Sequence, residues 1–106
     1  MDEDKYYTYI LRCTDNSLYT GITTNLKRRM DEHFSQNEKC AKYTKRHKAK
    51  KLEAAWTSSN RKFASKLEYQ IKHLPKQAKE NIIKDNENLQ ILNEKIEIDE
   101  YLRIEL

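Results

Sequence analysis

The feature that most limits the fold of this chain is a pair of strand-like runs near its N-terminal end. Residues 6–13 and 18–22 are rich in β-branched and aromatic side chains, and the residues between them, 14–17, are polar. Two such runs joined by a short polar turn predict a β-hairpin. The remaining elements therefore have to pack around an antiparallel pair of strands.

A single glycine, Gly21, lies inside the second of these runs and is the only glycine among the 106 residues. If odd residues face odd residues, Gly21 pairs with Tyr9, and Tyr9 and Tyr19 lie diagonal to each other on one sheet face. Glycine weakens a strand, so we expect it to allow a close approach of a backbone or ligand beside Tyr9. The alternative is that the two tyrosines are ordinary cross-strand packing partners.

Apolar residues at helical spacing predict the elements that follow the hairpin. Leu26, Met30 and Phe34 recur every four residues behind the capping-type residues 23–25, which predicts a helix with these three on one face. The rest of the pattern predicts an exposed loop over 35–50, a third strand over 52–56, a helix over about 58–74 and, after Pro75, a shorter helix over 76–84.

The periodicity changes after Lys84. Leu89, Leu92 and Ile96 have helical spacing, whereas the apolar residues at 102, 104 and 106 alternate as in a strand. An edge strand, a docking helix and a partly ordered acidic tail all remain open for this segment. We expect one functional domain over residues 1–84 and an acidic C-terminal extension over 85–106.

The first predicted helix carries two chemically active side chains. Arg29 and His33 are four residues apart and share one flank of the apolar stripe. Arginine suits bidentate contact with phosphate, and histidine is the common general base near neutral pH. The alternative is an ordinary basic helix surface, because residues 27–29 form a charge run that solvent tolerates well.

A carboxylate interrupts the apolar stripe of the second long helix. On a helical wheel Glu68 falls between Leu67 and Ile71, where an unpaired charge would be costly. One carboxylate completed by water can hold Mg²⁺, which keeps most of its hydration shell. A structural ion pair with a lysine or arginine explains the position equally well.

The distribution of charge is more informative than the net charge of +4. Residues 23–79 hold 16 Lys and Arg against 5 Asp and Glu, while both ends of the chain are acidic. A basic middle of this kind indicates a surface that binds a polyanion such as nucleic acid. A solvated lysine-rich surface is the alternative.

Length and composition bound the class of protein. A chain of 106 residues is the size of one domain. It contains no run of 18 apolar residues and its first residues lack the apolar region of a signal peptide, so we expect an intracellular protein without a membrane span. Cys13 and Cys40 fit no zinc spacing and are expected to be reduced thiols.

Several segments, in order, resemble one known family. They are Tyr7-Thr8-Tyr9, Tyr19-Thr20-Gly21, Arg28-Arg29, Glu32-His33, Ala41-Lys42-Tyr43-Thr44 and Glu68-Tyr69-Gln70-Ile71-Lys72. This set resembles the signature of the GIY-YIG nucleases, and of their small stand-alone members in particular, over roughly residues 5–84. The resemblance implies an α/β (α+β) fold in ββαβαα order, in which a three-stranded antiparallel sheet is flanked by helices.

The resemblance also implies roles for individual residues. Tyr9 and Tyr19 would orient or deprotonate the attacking water, and His33 matches a position where members place a proton-handling residue. Arg29 would neutralise charge on the scissile phosphate, and Glu68 would be the sole protein ligand of Mg²⁺ or Mn²⁺. The residues expected to bind substrate are Gly21, Lys42, Tyr43 and Arg46.

Two segments depart from the family pattern. Tyr7 replaces the first glycine of the signature, and residues 34–40 replace a shorter, glycine-rich loop that borders the substrate groove in the family. The sequence therefore predicts nuclease chemistry more sharply than it predicts the substrate.

We expect a metal-dependent endonuclease that cleaves nucleic acid, and DNA is the expected substrate. We expect the protein to recognise the structure of the DNA rather than its base sequence. Two alternatives remain open. One is a DNA- or RNA-binding module without catalysis. The other is a nuclease subunit that works with a protein partner docked through residues 85–106.

Overall fold

The computed structural model describes residues 5–36 and 38–106. The predicted hairpin is confirmed: β1 (Tyr6–Cys13) pairs antiparallel with β2 (Leu18–Thr23). In its register Tyr9 lies opposite Gly21, as predicted. The connecting turn places Asn16 at a left-handed φ of 70°, a conformation that asparagine tolerates better than most residues.

The first helix, α1 (Leu26–Ser35), begins where the sequence predicts. Its N-cap is Asn25, whose side chain accepts a hydrogen bond from the backbone N–H of Arg28. Leu26, Met30 and Phe34 lie on one face as predicted, with Met30 buried and Phe34, in the last turn, 39% exposed.

The predicted exposed loop over residues 35–50 was wrong in part. This segment contains a short helix, α2 (Lys42–Arg46), and the first residues of β3 (Ala49–Ser58); residue 37 lies outside the described residues. The third strand is therefore longer than the predicted 52–56. Neither element was predicted, because the segment is mostly basic and its buried side chains are small. Ala49 is buried in β3, and Thr44 is fully buried in α2.

The later helices agree with the prediction. The helix α3 (Arg61–Lys72) is capped by Asn60, which accepts a hydrogen bond from the backbone N–H of Phe63, and α4 (Lys76–Lys84) follows Pro75. Arg12 on β1 forms ion pairs with Glu53 on β3 and Glu80 on α4, which fixes α4 against the sheet.

The residues after α4 pack on the same protein core. Two short 3₁₀ helices (Asn86–Leu92 and Ile98–Glu100) lead to a two-residue strand, β4 (Leu102–Arg103), that pairs antiparallel with β3. Arg103 lies over the ring of Trp56 and donates to the backbone carbonyls of Ile82 and Ile83. The edge strand is thus the one of the three open alternatives that the structure contains, preceded by 3₁₀ turns.

The predicted fold class is confirmed, with one correction. The fold is α+β, and the described residues form an antiparallel sheet of four strands in the order β2-β1-β3-β4 rather than three. The fourth strand is the edge strand that the alternation at residues 102, 104 and 106 left open, and with only two residues it is too short for that pattern to have decided between the alternatives.

The sheet separates two apolar clusters. One face of the sheet packs with α1 and contains Tyr9, Leu11, Met30, Ala49 and Ala55. The other face packs with α3, α4 and the C-terminal segment and contains Ile10, Ala54, Trp56, Leu67, Ile71, Ile82, Leu89, Leu92, Ile96 and Tyr101. Cys13 and Cys40 are buried and unbridged. Within the described chain, no helix is long and apolar enough to cross a membrane.

Candidate active site

The phenol ring of Tyr9 packs over Gly21 on the neighbouring strand, β2. Tyr9 is 1% exposed, and a Cβ atom built on Gly21 would lie 2.6 Å from its hydroxyl oxygen and 2.8 Å from its Cζ atom. Heavy atoms cannot approach so closely without displacement, so any other residue at position 21 would push the phenol away. The prediction was a backbone or ligand beside Tyr9, whereas the group that approaches Gly21 in the structure is the side chain of Tyr9 itself.

The hydroxyl of Tyr9 meets a buried imidazole on α1. Its oxygen is 2.7 Å from Nε2 of His33, a residue with no exposed surface. The other ring nitrogen, Nδ1, is 2.8 Å from Oγ1 of Thr44 on α2. Three elements distant in the sequence thus converge on one imidazole.

Hydrogen-bond accounting assigns the tautomer of this imidazole. Oγ1 of Thr44 donates its single proton to the carbonyl of Ala41 at 3.1 Å, so it must accept from Nδ1–H of His33. A neutral imidazole that donates through Nδ1 carries a lone pair on Nε2, and Tyr9 therefore donates to that nitrogen. The direction of the chain runs from Tyr9 through His33 to Thr44 and Ala41.

The protonation states of the pair follow from burial and nearby charge. Burial, reinforced by the charge of Arg29, lowers the pKa of His33 to about 4, which keeps the imidazole neutral at neutral pH. Burial raises the pKa of Tyr9 well above its ordinary value, and the nearby guanidinium of Arg29 opposes that rise. At neutral pH Tyr9 is therefore a neutral phenol that donates to a neutral imidazole.

Arg29 is held at the edge of this buried pair. Its Nη1 atom donates to Oε1 of Glu32 and to the carbonyl of Lys39, both at 2.7 Å, and its side chain keeps 20% of its surface exposed. The guanidinium is thus positioned by two acceptors and remains reachable from solvent.

Tyr19 begins a row of aromatic rings that leads to the surface. Its ring centroid is 5.6 Å from that of His33 and 5.4 Å from that of Tyr43, which in turn stacks on His47 at 4.2 Å. His47 is paired with Asp15 in the hairpin turn. The predicted substrate-binding Tyr43 is therefore part of the cluster.

Lys42 and Arg46, the other two residues predicted to bind substrate from this part of the chain, are exposed on α2. Their assignment to substrate stays a prediction.

Glu68 lies at the margin of the core rather than in the middle of the apolar stripe, where the helical wheel placed it. Leu67 and Ile71 beside it are fully buried, while the Glu68 side chain keeps 23% of its surface exposed. Its Oε2 atom is 3.2 Å from Nζ of Lys72, and that amine lies 5.8 Å from the ring centroid of Tyr19. The carboxylate therefore has an ion-pair partner and also faces the tyrosine cluster.

The donor set near Glu68 fits a hydrated cation rather than a protein cage. Among the residues that the structure describes, no group of three or more His, Cys, Asp or Glu side chains is placed to hold a metal ion. A single, partly exposed carboxylate completed by water is a donor set that Mg²⁺ accepts, because this ion gives up its water reluctantly.

Sequence reasoning missed three positioning residues. Thr44 and Lys72 lie inside segments that resemble the GIY-YIG family, but their roles depend on contacts with His33 and Glu68 that only the fold reveals. Glu32 could have been found from its i, i+3 spacing to Arg29.

Comparison with known proteins identifies the family. The family model described as the GIY-YIG catalytic domain matches residues 5–81. The chain belongs to the GIY-YIG family. This is a nuclease family, and the match contains Tyr9, Tyr19, Arg29, His33 and Glu68.

The chain is also similar to small GIY-YIG proteins of bacteria. It is 47% identical over 78 residues to a UPF0213 protein of Fusobacterium nucleatum subsp. nucleatum, which covers 74% of this chain and 76% of that protein. It is 42% identical over 86 residues to a UPF0213 protein of Desulfotalea psychrophila, covering 81% and 77% of the two chains. A solution NMR structure of a UPF0213 protein from Bacillus halodurans has 36% identity and a TM-score of 0.47, and covers 83% of this chain and 96% of that one.

Proposed function

We propose that this chain is an endonuclease that hydrolyses phosphodiester bonds of nucleic acid, with DNA as its substrate. The observation that carries the proposal is the buried hydrogen-bond chain from Tyr9 through His33 to Thr44, beside the partly exposed Arg29. A protein that only binds nucleic acid has no need for a base held inside the core and aimed at a phenol. Membership of a nuclease family supports the same conclusion.

In the proposed reaction Tyr9 passes a proton from the attacking water to His33. The water oxygen forms a bond to phosphorus and gives its proton to the phenolic oxygen, while the phenol gives its own proton to Nε2 of His33. Moving both protons together avoids a free phenolate, which burial strongly disfavours. The bond from phosphorus to the leaving oxygen breaks, and that oxygen takes a proton from solvent.

The low pKa of His33 suits this role only when substrate is present. Burial and Arg29 both disfavour the imidazolium in the free protein. A phosphodiester beside Arg29 would neutralise that guanidinium and add a negative charge, and both effects raise the proton affinity of His33. The base is therefore weak in the empty site and stronger when the reaction can occur.

Arg29 and Glu68 divide the electrostatic work in this proposal. Arg29 contacts the non-bridging oxygens of the phosphate, for which its planar fork is suited. Glu68 would hold Mg²⁺ or Mn²⁺ in place of its ion pair with Lys72, and the ion would supply electrostatic stabilisation of developing negative charge. Tyr19 orients the water from the other side of the cluster.

The proposal is tested by cleavage of a supercoiled plasmid and of labelled duplex, branched and single-stranded DNA and RNA, with and without Mg²⁺. We expect nicking that requires the metal and that falls to background in Tyr9→Phe and Arg29→Ala. A matched control is Tyr69→Phe, because Tyr69 is an exposed tyrosine next to Glu68. Cleavage by Tyr9→Phe at the wild-type rate would contradict the role of the phenol.

The basic middle of the chain favours a second candidate, a binding module without catalysis. It predicts salt-dependent binding to nucleic acid that needs no metal and is unaffected by Glu68→Ala. Metal-dependent cleavage by the purified protein would exclude it.

The C-terminal segment bears on the proposed protein partner. Leu89, Leu92 and Ile96 are buried in the core of this chain, whereas Ile91, Leu102 and Leu106 are 62%, 70% and 68% exposed. The apolar side chains that this segment offers to a partner are therefore these three exposed ones. Nuclease activity of the protein alone would remove the need for such a partner.

A further inference from the structure

A groove lies beside Arg29, where the end of β2 meets the first turns of α1 and α3. Its volume is about 280 Å³, and it is open to solvent along one side. The polar side chains of its lining include those of Tyr6, Thr24, Arg28, Arg29, Glu32 and Arg61. Nothing in the proposed reaction uses this groove, apart from Arg29 itself.

The charges of the groove are unbalanced. Among the residues that the structure describes, three guanidinium groups line it, from Arg28, Arg29 and Arg61, against one carboxylate, that of Glu32. Glu32 lies 2.7 Å from Arg29 and 3.6 Å from Arg28, so it offsets part of the charge on one side only. Arg61, the first residue of α3, adds a third positive charge from a different helix.

The chemistry of this lining selects a phosphate. Guanidinium groups present planar forks that match two oxygens of a phosphate, and the hydroxyls of Tyr6 and Thr24 add neutral donors. A groove with these donors is unsuited to an apolar or cationic ligand.

We infer that this groove binds a second phosphate of the nucleic-acid strand, adjacent to the scissile one. Arg29 lines both the groove and the candidate active site, so a strand that places one phosphate at Arg29 brings its neighbour to Arg28 and Arg61. This inference rests on the proposed function and extends it. Arg61 becomes a residue that sets the register of the strand in the active site without touching the reacting atoms.

The test measures binding rather than cleavage, in EDTA, with a fluorescein-labelled oligonucleotide. We expect Arg61→Ala to bind roughly tenfold more weakly than wild type and to reduce the slope of log affinity against log salt by about one. Arg61→Lys should recover part of the affinity, because it keeps the charge but loses the fork. The control is Lys62→Ala, which removes an exposed positive charge from the neighbouring residue of α3 without altering the groove.

The phosphate can be internal to the strand or at its end, and paired probes distinguish the two sources. Oligonucleotides with a 5′-phosphate and with a 5′-hydroxyl are compared in wild type and Arg61→Ala. An equal loss on both probes assigns an internal diester, and a larger loss on the phosphorylated probe assigns a terminal phosphate.

The inference is overturned if Arg61→Ala and Lys62→Ala have the same affinity and salt slope, or if wild type does not bind the strand at low salt. Its failure is distinguishable from failure of the proposed function, because binding in EDTA requires no catalysis. If Arg61→Ala weakens binding but the wild-type protein never cleaves, the phosphate-binding groove is supported and the proposed nuclease activity is rejected.

Discussion

The hydroxyl of Tyr9 lies 2.7 Å from Nε2 of His33, and the two side chains are 1% and 0% exposed. A buried imidazole destabilises the fold if either of its ring nitrogens lacks a hydrogen-bond partner, so His33 needs both Tyr9 and Thr44. The same contact offers the phenol a base. The stability of the fold and the proposed chemistry therefore both depend on His33.

Thr44→Val tests the chain of hydrogen bonds at its far end. Valine has the shape of threonine without the hydroxyl, so Nδ1–H of His33 loses its acceptor. We expect unfolding to become easier by about 1–3 kcal/mol, measured with urea. Cleavage should fall at least about tenfold, because a proton moved to Nε2 would remove the acceptor for Tyr9.

Thr44→Ser is the matched variant, because it restores the hydroxyl and should recover most of the activity. Thr14→Val is the control, because it removes an exposed hydroxyl from the hairpin turn; we expect it to change the free energy of unfolding and the cleavage rate much less than Thr44→Val does. Full activity of Thr44→Val would contradict the assigned tautomer.

The low pKa of His33 predicts a loss of stability in mild acid. The folded state keeps this imidazole neutral down to about pH 4, whereas an unfolded histidine titrates near 6.5. Its contribution is fully present above pH 6.5 and is lost as the pH falls from 6.5 to about 4, by up to about 3 kcal/mol.

Urea unfolding of wild type and His33→Gln at several pH values between 7 and 4 measures this contribution. The wild-type curve should lose stability across the window, and the variant should lose much less. His73→Gln is the control, because His73 is exposed and should leave the pH dependence as it is in wild type. Parallel curves for wild type and His33→Gln would refute the assignment.

Gly21→Ala tests the packing of the phenol against the paired strand. The added Cβ would lie 2.6 Å from the hydroxyl oxygen of Tyr9 and 3.0 Å from Cε2 of Tyr19, so at least one ring must move. Overpacking of this kind costs about 1–3 kcal/mol of stability, and we expect the displaced phenol to lose its contact with His33 and the site its activity. A fully active Gly21→Ala would show that the position of the phenol is not critical.

Much of the site was predictable because it lies on regular elements. The hairpin places Tyr9 opposite Gly21, and helical spacing places Arg29 and His33 on one flank, so each pair follows from local periodicity. The partner of His33 was not predictable in this way. Thr44 lies on a five-residue helix in a basic segment, and its contact with His33 exists only in the folded chain.

The structure of the C-terminal segment, residues 85–106, could not be predicted from local periodicity. Leu89, Leu92 and Ile96 are spaced as in an α-helix, but Leu89 and Leu92 lie in a 3₁₀ helix and Ile96 follows it. The α-helical spacing therefore did not predict the structure of this segment. What decides their position is the open apolar face left by β3 and α3. The role of this segment in stability is therefore a property of tertiary packing.

Tyr101→Ala measures how far that segment supports the core. Tyr101 is 8% exposed, packs against Phe63 and donates its hydroxyl to the carbonyl of Phe63 at 2.7 Å. We expect a loss of about 3–5 kcal/mol in the free energy of unfolding. Leu102→Ala, at a neighbouring position that is 70% exposed, should cost less than about 1 kcal/mol.

A chain that ends at Lys84 makes the same test more severe, because it uncovers the apolar face that Leu89, Leu92 and Tyr101 cover. We expect it to be much less stable than the full chain. A truncated chain as stable as the full one would mean that residues 85–106 are dispensable for the fold.

Glu68→Ala, assayed for Mg²⁺-dependent nicking of a supercoiled plasmid, tests the central claim most directly. Wild type and the control Glu94→Ala, which removes an exposed carboxylate of the C-terminal segment, should nick the plasmid. Glu68→Ala should lose at least about a thousandfold in rate while keeping its urea stability and its binding to DNA in EDTA. Equal nicking by Glu68→Ala and wild type would contradict the account, as would the absence of nicking by the wild-type protein.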